Sequence, residues 1–233
     1  MTTTRRDFIG TTLKGAGLGA ALCASASGGA APPLHPTNAP EVTWRRKVPV
    51  RYECDVAVVG GGIAGVTAAM AAARSGARVL LVERFGVVGG NATVGGVASF
   101  CGETAGQGEA FDSIVAALEA FDAIAPYRPY PEKGSRVFDH EILAVVLQEL
   151  LIARNVKLLL HTQFVDVCAE NGRISECIVC GPSGPEALRA RQFIDCTGEA
   201  CLTRMAGLET MKGRERDGLQ LPMSMMYFVR HVA

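Results

Sequence analysis

Residues 54–93 read CDVAVVGGGIAGVTAAMAAARSGARVLLVERFGVVGGNAT, two glycine clusters with one acidic residue, Glu83, between them at the end of an apolar run. Asp55 to Val59 is a short β-branched run cut off by Gly60-Gly61-Gly62, the pattern of a buried parallel strand. The alanine-rich, proline-free stretch from Ile63 to Ala77 predicts a helix, with Gly76 where a helix C-terminus takes a left-handed residue. Arg78 to Glu83 predicts a second strand. Strand, helix and strand within about thirty residues make a βαβ unit.

In that setting Gly60, Gly62 and Gly65 satisfy G-x-G-x-x-G. The first glycine permits the tight turn, the second lets the backbone approach a pyrophosphate, and the third lets helix and strand pack closely. Gly61, Ile63 and Ala64 complete a loop whose exposed N–H groups, at the positive end of the helix, favour phosphate charge. Glu83 sits where a carboxylate can accept hydrogen bonds from a ribose hydroxyl. NAD and FAD both present an ADP moiety to such a loop, so the fingerprint alone does not choose between them.

The second cluster bears on that choice. ERFGVVGGNATVGGVASFCG adds Arg84, Gly89, Gly90 and Thr93, a stretch with little side-chain bulk and a hydroxyl close behind. This region resembles the FAD-dependent oxidoreductases of the glutathione-reductase-like fold, in which such a segment runs along the cofactor toward the flavin. RVFDHEILAVVLQELLIARNVKLLLHTQFVDVCAENGRISECIV is similar to the family's next section. The residues agree with it on their own terms. Asp139 can cap a helix whose apolar positions Ile142, Val145, Val146 and Leu150 recur at three and four. Leu158 to Leu160 reads as a buried strand, and Asn171-Gly172 is a strong hairpin signal between residues 164–170 and 174–180. The resemblance implies that the backbone near Val165 meets the adenine ring. ALRARQFIDCTGEACLTRMAG resembles the family's closing segment: Asp195, Thr197 and Gly198 match, Glu199 stands for an Asp, and Cys201 replaces a second acid.

What the resemblance implies is an α/β, Rossmann-like FAD-binding domain of the glutathione-reductase type with a β-meander. The cofactor would be FAD, contacted by Gly60, Gly61, Gly62, Ile63, Ala64, Gly65, Glu83, Arg84, Gly89, Gly90, Thr93, Val165, Thr197, Gly198 and Glu199. The activity implied is hydride or electron transfer between an unidentified small organic substrate and the flavin, with an unidentified electron acceptor. An NAD(P)-binding dehydrogenase and a non-catalytic nucleotide-binding fragment are the alternatives.

The flanking sequence suggests where such a domain works. Residues 1–31 run from a basic start through a weak apolar stretch to small residues, the layout of an export signal. Arg5-Arg6-Asp7-Phe8-Ile9 resembles the twin-arginine motif, which implies the twin-arginine translocation machinery as a partner and a periplasmic location. The apolar run from Ala16 to Ala24 is far shorter than the ~20 residues of a membrane span, so no permanent membrane anchor is expected. Proline-rich residues 32–50 read as a linker and residues 51–220 as the FAD-binding domain, with 100–137 a cap-like insertion. Met223 to Val229 reads as an apolar strand, and the resemblance implies that 221–233 is the start of a truncated substrate domain and the chain an N-terminal portion of a longer protein.

Composition narrows the remaining classes. The 48% hydrophobic content argues for a folded core, and Lys+Arg and Asp+Glu both total 23, leaving no basic field for nucleic acid. The scattered histidines form no metal-ligand pattern. Cys177 and Cys180 have dithiol spacing but fall on one predicted strand, where side chains three apart face opposite ways, so they read as packing residues. Cys101 stands alone after the first glycine cluster, without the paired cysteine of a dithiol reductase.

Overall fold

The computed structural model describes residues 41–127, 135–222 and 224–227. The expected export signal and most of the linker lie outside them. The chain divides into two compact units, residues 1–46 and 47–233. In the first, the described residues 41–46 are exposed and without regular structure. The second unit holds all the helices and strands of the described residues.

β1 (Val50–Val59), α1 (Ile63–Arg74) and β2 (Val79–Val82) form the expected βαβ unit, with β1 parallel to β2 and Val56 paired to Val79. Gly76, just beyond α1, is left-handed as expected, with φ 83°. β1 begins before Asp55 and takes in part of the stretch expected to be linker. Exposed charges at Arg51 and Glu53 break the apolar pattern there, and the segment becomes a strand because β8 gives it partners: Tyr52 with Leu188 and Glu53 with Arg189.

After β2 the chain forms β3 (Ser99–Cys101), α2 (Glu109–Ala120), β4 (Ser135–Val137) and α3 (His140–Ile152). It continues through β5 (Lys157–Leu159), β6 (Gln163–Glu170), β7 (Arg173–Gly181), β8 (Gly184–Asp195) and the short α4 (Cys201–Met205). The main sheet has the order β5-β2-β1-β8-β7-β6. Its first four strands are parallel, and β8, β7 and β6 are an antiparallel meander. Asn171 and Gly172, with φ of 53° and 73°, make the β6–β7 turn, as a two-residue hairpin requires.

One face of the parallel strands, with Val58 and Leu81, packs against α1, α2 and α3 through Val66, Met70, Ile114, Leu118, Leu143, Leu147 and Leu151. Each of these larger aliphatic side chains contributes about 1.5–3 kcal/mol by leaving water. On the other side, Ala57, Leu80 and Val82 cluster with Val179 and Leu188 of β7 and β8. Asp139 caps α3 as expected, its Oδ1 accepting from the N–H groups of Glu141 (2.9 Å) and Ile142 (3.1 Å).

Three features differ from the sequence reading. The buried face of α3 is Leu143, Val146, Leu147 and Leu151, while Val145 is 56% exposed. EILAVVLQELL carries apolar residues on more than one helical stripe, and the neighbours of α3, not its own pattern, select the stripe. Second, the expected cap-like insertion, 100–137, is also tied into the core: Ile114, Val115 and Leu118 of α2 are buried, and β3 and β4 pair as a small antiparallel sheet. Third, residues 224–227 of the expected C-terminal strand are in no strand, pairing with none of the described residues, and the rest of that strand lies outside the described residues. Cys177 is buried and Cys180 partly buried on β7, while Cys101 and Cys168 are exposed. All seven described cysteines are free, and burial pushes the Cys177 thiol up to about 12. Among the described residues, no helix is long and apolar enough to cross a membrane.

Candidate functional site

The carboxyl ends of β2, β1 and β8 lie side by side; α1 joins β1 to β2 on one side, while α4, which follows β8, packs toward β6 on the other. Ligands of open α/β sheets bind in the crevice outside such a switch point. Here a cavity of about 1530 Å³ opens there, bordered by the β1–α1 loop, the segment after β2, the start of β6 and the loop after β8. Its size exceeds the roughly 300–1,000 Å³ of a drug-sized ligand site and suits a longer molecule.

The three fingerprint glycines have different local reasons. Gly60 has φ 101°, and a Cβ there would lie 2.3 Å from the carbonyl oxygen of Cys196, so the turn into α1 excludes any side chain. At Gly65 a Cβ would lie 1.8 Å from the carbonyl oxygen of Gly60, which is the close packing of helix on strand. Gly62 has no such reason. Its φ and ψ of −64° and 179° suit any residue, and a Cβ there would meet nothing within 4 Å. It caps α1 without a side-chain hydrogen bond and lies on the cavity surface, next to first-turn amides that have no carbonyl within the helix to bond. A bare backbone that the fold does not demand, at a helix N-terminus facing a cavity, fits a bound pyrophosphate.

Glu83 is 5% exposed. Its Oε2 accepts from the Gly61 N–H at 2.7 Å and its Oε1 from the Phe85 N–H at 2.8 Å. The Gly61 carbonyl in turn accepts from the Gly89 N–H at 2.7 Å, and Gly62 and Gly89 form an isolated parallel bridge. The two glycine clusters of the sequence are therefore fastened to each other, with Glu83 bonded to the first.

Of the expected site residues, Gly60, Gly62, Ile63, Ala64, Glu83, Arg84, Gly89, Gly90, Thr197, Gly198 and Glu199 border the cavity, and Gly61, Gly65, Thr93 and Val165 do not. Gly61 and Gly65 lie within the packing of the loop. Thr93 is buried, its hydroxyl donating to the Val88 carbonyl at 2.8 Å, so it braces the second glycine loop. Val165 is 42% exposed on β6, while its neighbours Gln163 and Phe164 reach the cavity. Arg84 lies over the Phe85 ring, 4.9 Å from its centroid. Sequence reasoning missed the wall formed by Phe100, Cys101, Glu103 and Gln107, which no motif announces. It also left out Asp195 as a site residue, although the TG that follows marks a turn needing an anchor.

Asp195 holds the β8–α4 loop. Its Oδ1 accepts from the Thr197 N–H (3.0 Å) and hydroxyl (2.8 Å), and its Oδ2 from the Thr203 N–H (2.9 Å) and hydroxyl (2.7 Å). Burial raises its pKa, but these four donors outweigh burial and hold the carboxyl below its usual range. A carboxyl whose folded pKa is depressed adds stability that is present above the unfolded value, about 3.9, and is lost as pH falls through the folded one. Asp195→Asn should therefore be less stable than the unchanged chain at neutral pH, with the gap narrowing below about pH 4. Urea midpoints measured across that range check this; a gap constant with pH would exclude it.

Residues 55–233 match the family described as FAD dependent oxidoreductase. The thiamine thiazole synthase of Aeropyrum pernix is 33% identical over 163 residues, which cover 64% of this chain and 57% of that protein. This chain thus spans little more than half the length of that relative. In fold it is similar to THI4 of Thermovibrio ammonificans, with a TM-score of 0.52 and 21% identity over 70% of this chain and 67% of that one. It is also similar to CabE, an aromatic hydroxylase from angucycline biosynthesis, with a TM-score of 0.51 and 21% identity over 67% of this chain and 33% of that one. With a cavity suited to an ADP-bearing cofactor and a family match running from the first strand of the βαβ unit onward, this chain belongs to the FAD dependent oxidoreductase family, and its cofactor is FAD.

Proposed function

We propose that the protein oxidises or reduces a small organic substrate through FAD held in this cavity, and passes the electrons to a separate acceptor. The observation that carries this reading is Gly62, a bare cavity-facing residue at the N-terminus of α1 that the fold itself does not require. When bound, FAD supplies the centre that takes up or gives out a hydride or an electron pair.

The chain's residues bind and orient. The first-turn amides at Ile63, Ala64 and Gly65 hold the pyrophosphate, and Glu83 accepts from a ribose hydroxyl. Gln163 and Phe164, with the Val165 backbone behind them, form the adenine end, with Arg84 nearby. Gly89 and Gly90 leave room for the middle of the cofactor, and Thr197, Gly198 and Glu199 close over it from β8. Thr93 acts from beneath, keeping the Gly89–Gly90 loop in place. The wall of Phe100, Cys101, Glu103 and Gln107 is where the substrate would lie against the flavin. Aerobically purified protein should show the blue and near-ultraviolet absorbance of oxidised flavin, and an anaerobic panel of small organic substrates should bleach it with one of them. Flavin that no reductant-class or oxidant-class substrate perturbs would remove the catalytic reading and leave a binding role.

The same reading covers export. FAD would be loaded before translocation, and the folded protein carried to the periplasm by the twin-arginine route, which suits a cofactor held by tertiary structure alone. Replacing Arg5 and Arg6 by Lys should leave precursor in the cytoplasm. Undiminished periplasmic protein from the double variant, measured by fractionation, would overturn it.

A further inference from the structure

We infer that Glu83 is a positioning residue for the nucleotide loop and acts before any cofactor arrives. This rests on the reading of the glycine loop as the pyrophosphate site and goes beyond a ribose contact. Both carboxylate oxygens are engaged inside the protein, one by the N–H of Gly61 in the β1–α1 loop and the other by the N–H of Phe85 in the segment after β2. The two loops are adjacent cavity walls from different parts of the chain, and a second tie, from the Gly89 N–H to the Gly61 carbonyl, runs the other way. The Gly61 peptide is thus held at both ends. A Cβ at Gly61 would lie 3.0 Å from Glu83 Cβ and Oε2 and 3.1 Å from Leu81 Cδ2, so the peptide rests directly on the carboxylate. A glycine-rich loop has more backbone freedom to lose than any other sequence, and a loop fixed in advance spares the ligand that ordering cost.

The chemistry of the partners separates the two roles of Glu83. A ribose hydroxyl both donates and accepts, so an amide in place of the carboxylate can still pair with it. A backbone N–H only donates. Glutamine of the same shape offers one oxygen and one NH₂, and can satisfy either Gly61 or Phe85 while setting its own donors against the other. Glu83→Gln therefore breaks the cross-link between the loops and leaves a ribose contact available.

The experiment uses the full chain and three readouts. First, amide hydrogen exchange on the unchanged, FAD-free chain should find the Gly61 and Phe85 N–H groups already protected. Amides that exchange freely until FAD is added would overturn the inference, whatever the variant does. Second, Glu83→Gln should weaken FAD binding about ten-fold or more, the loss expected when a buried donor goes unpaired. Third, inorganic pyrophosphate, which has no ribose, should weaken alongside it as a competitor of FAD. A Glu83→Gln chain that loses FAD affinity but keeps pyrophosphate competition unchanged would reduce Glu83 to a ribose ligand. Failure of the unchanged chain to bind FAD or pyrophosphate would instead overturn the site itself.

Discussion

Gly62→Val is expected to abolish FAD retention while leaving the melting temperature of the FAD-free chain nearly unchanged. The prediction follows from where the new side chain would go. The backbone at Gly62 is in an extended conformation open to valine, and nothing lies within 4 Å of the Cβ position, so the folded chain has room for a Cβ there. Removing glycine's freedom in the unfolded chain favours folding by about 0.4–1 kcal/mol at a compatible site, which roughly offsets the loss of a favoured glycine at the helix N-cap. The added methyl groups instead occupy cavity space beside the first turn of α1, where phosphate oxygens must come within hydrogen-bond reach of the amides. Pushing a set of charged acceptors out of reach should raise the FAD dissociation constant on the order of a hundred-fold or more. Flavin fluorescence titration and a thermal melt on the same sample decide it. Normal flavin affinity would show that the pyrophosphate lies elsewhere, and a collapsed melting temperature would show that Gly62 serves the fold.

Gly65→Ala should behave in the opposite way. Three residues along, the same kind of residue faces inward, and a Cβ would sit 1.8 Å from the Gly60 carbonyl oxygen and 3.3 Å from Cys196 Cβ. Backbone oxygen cannot yield as a flexible side chain can, so α1 must lift from β1 and β8. Val66, Ala69 and Met70, all buried on the same helix, would shift with it. The cost should reach roughly 3 kcal/mol or more, at or beyond the usual range for overpacking, and it should appear in the FAD-free chain. An urea midpoint unchanged from that of the parent would mean that α1 sits farther from the sheet than the structure has it.

The contrast between these two glycines also shows what the sequence could convey. The spacing of Gly60, Gly62 and Gly65 after a β-branched run and before an alanine-rich one made the βαβ unit legible, because Gly60 and Gly65 each carry a local constraint. Asn171-Gly172 was legible for the same reason: a two-residue hairpin needs left-handed backbone, and few residue pairs supply it. The cap at Asp139 was equally local. The N-terminal half of β1 was not, because Arg51 and Glu53 are exposed and only pairing with distant β8 makes that segment a strand. Nor was the buried stripe of α3, which the neighbouring elements choose. Within the site, Thr93 was identified as a significant hydroxyl, but its partner is the Val88 carbonyl. The position of Glu83 was readable from its spacing. Its two bonds to Gly61 and Phe85 were not, since they depend on how two loops meet in space.

The most direct test of FAD held through its ADP half on the β1–α1 loop is calorimetric titration of FAD into the FAD-free chain, repeated with ADP present. Binding at one FAD per chain, with an apparent dissociation constant that rises in proportion to ADP concentration, is the predicted result. FAD uptake insensitive to saturating ADP, or no uptake at all, would contradict it.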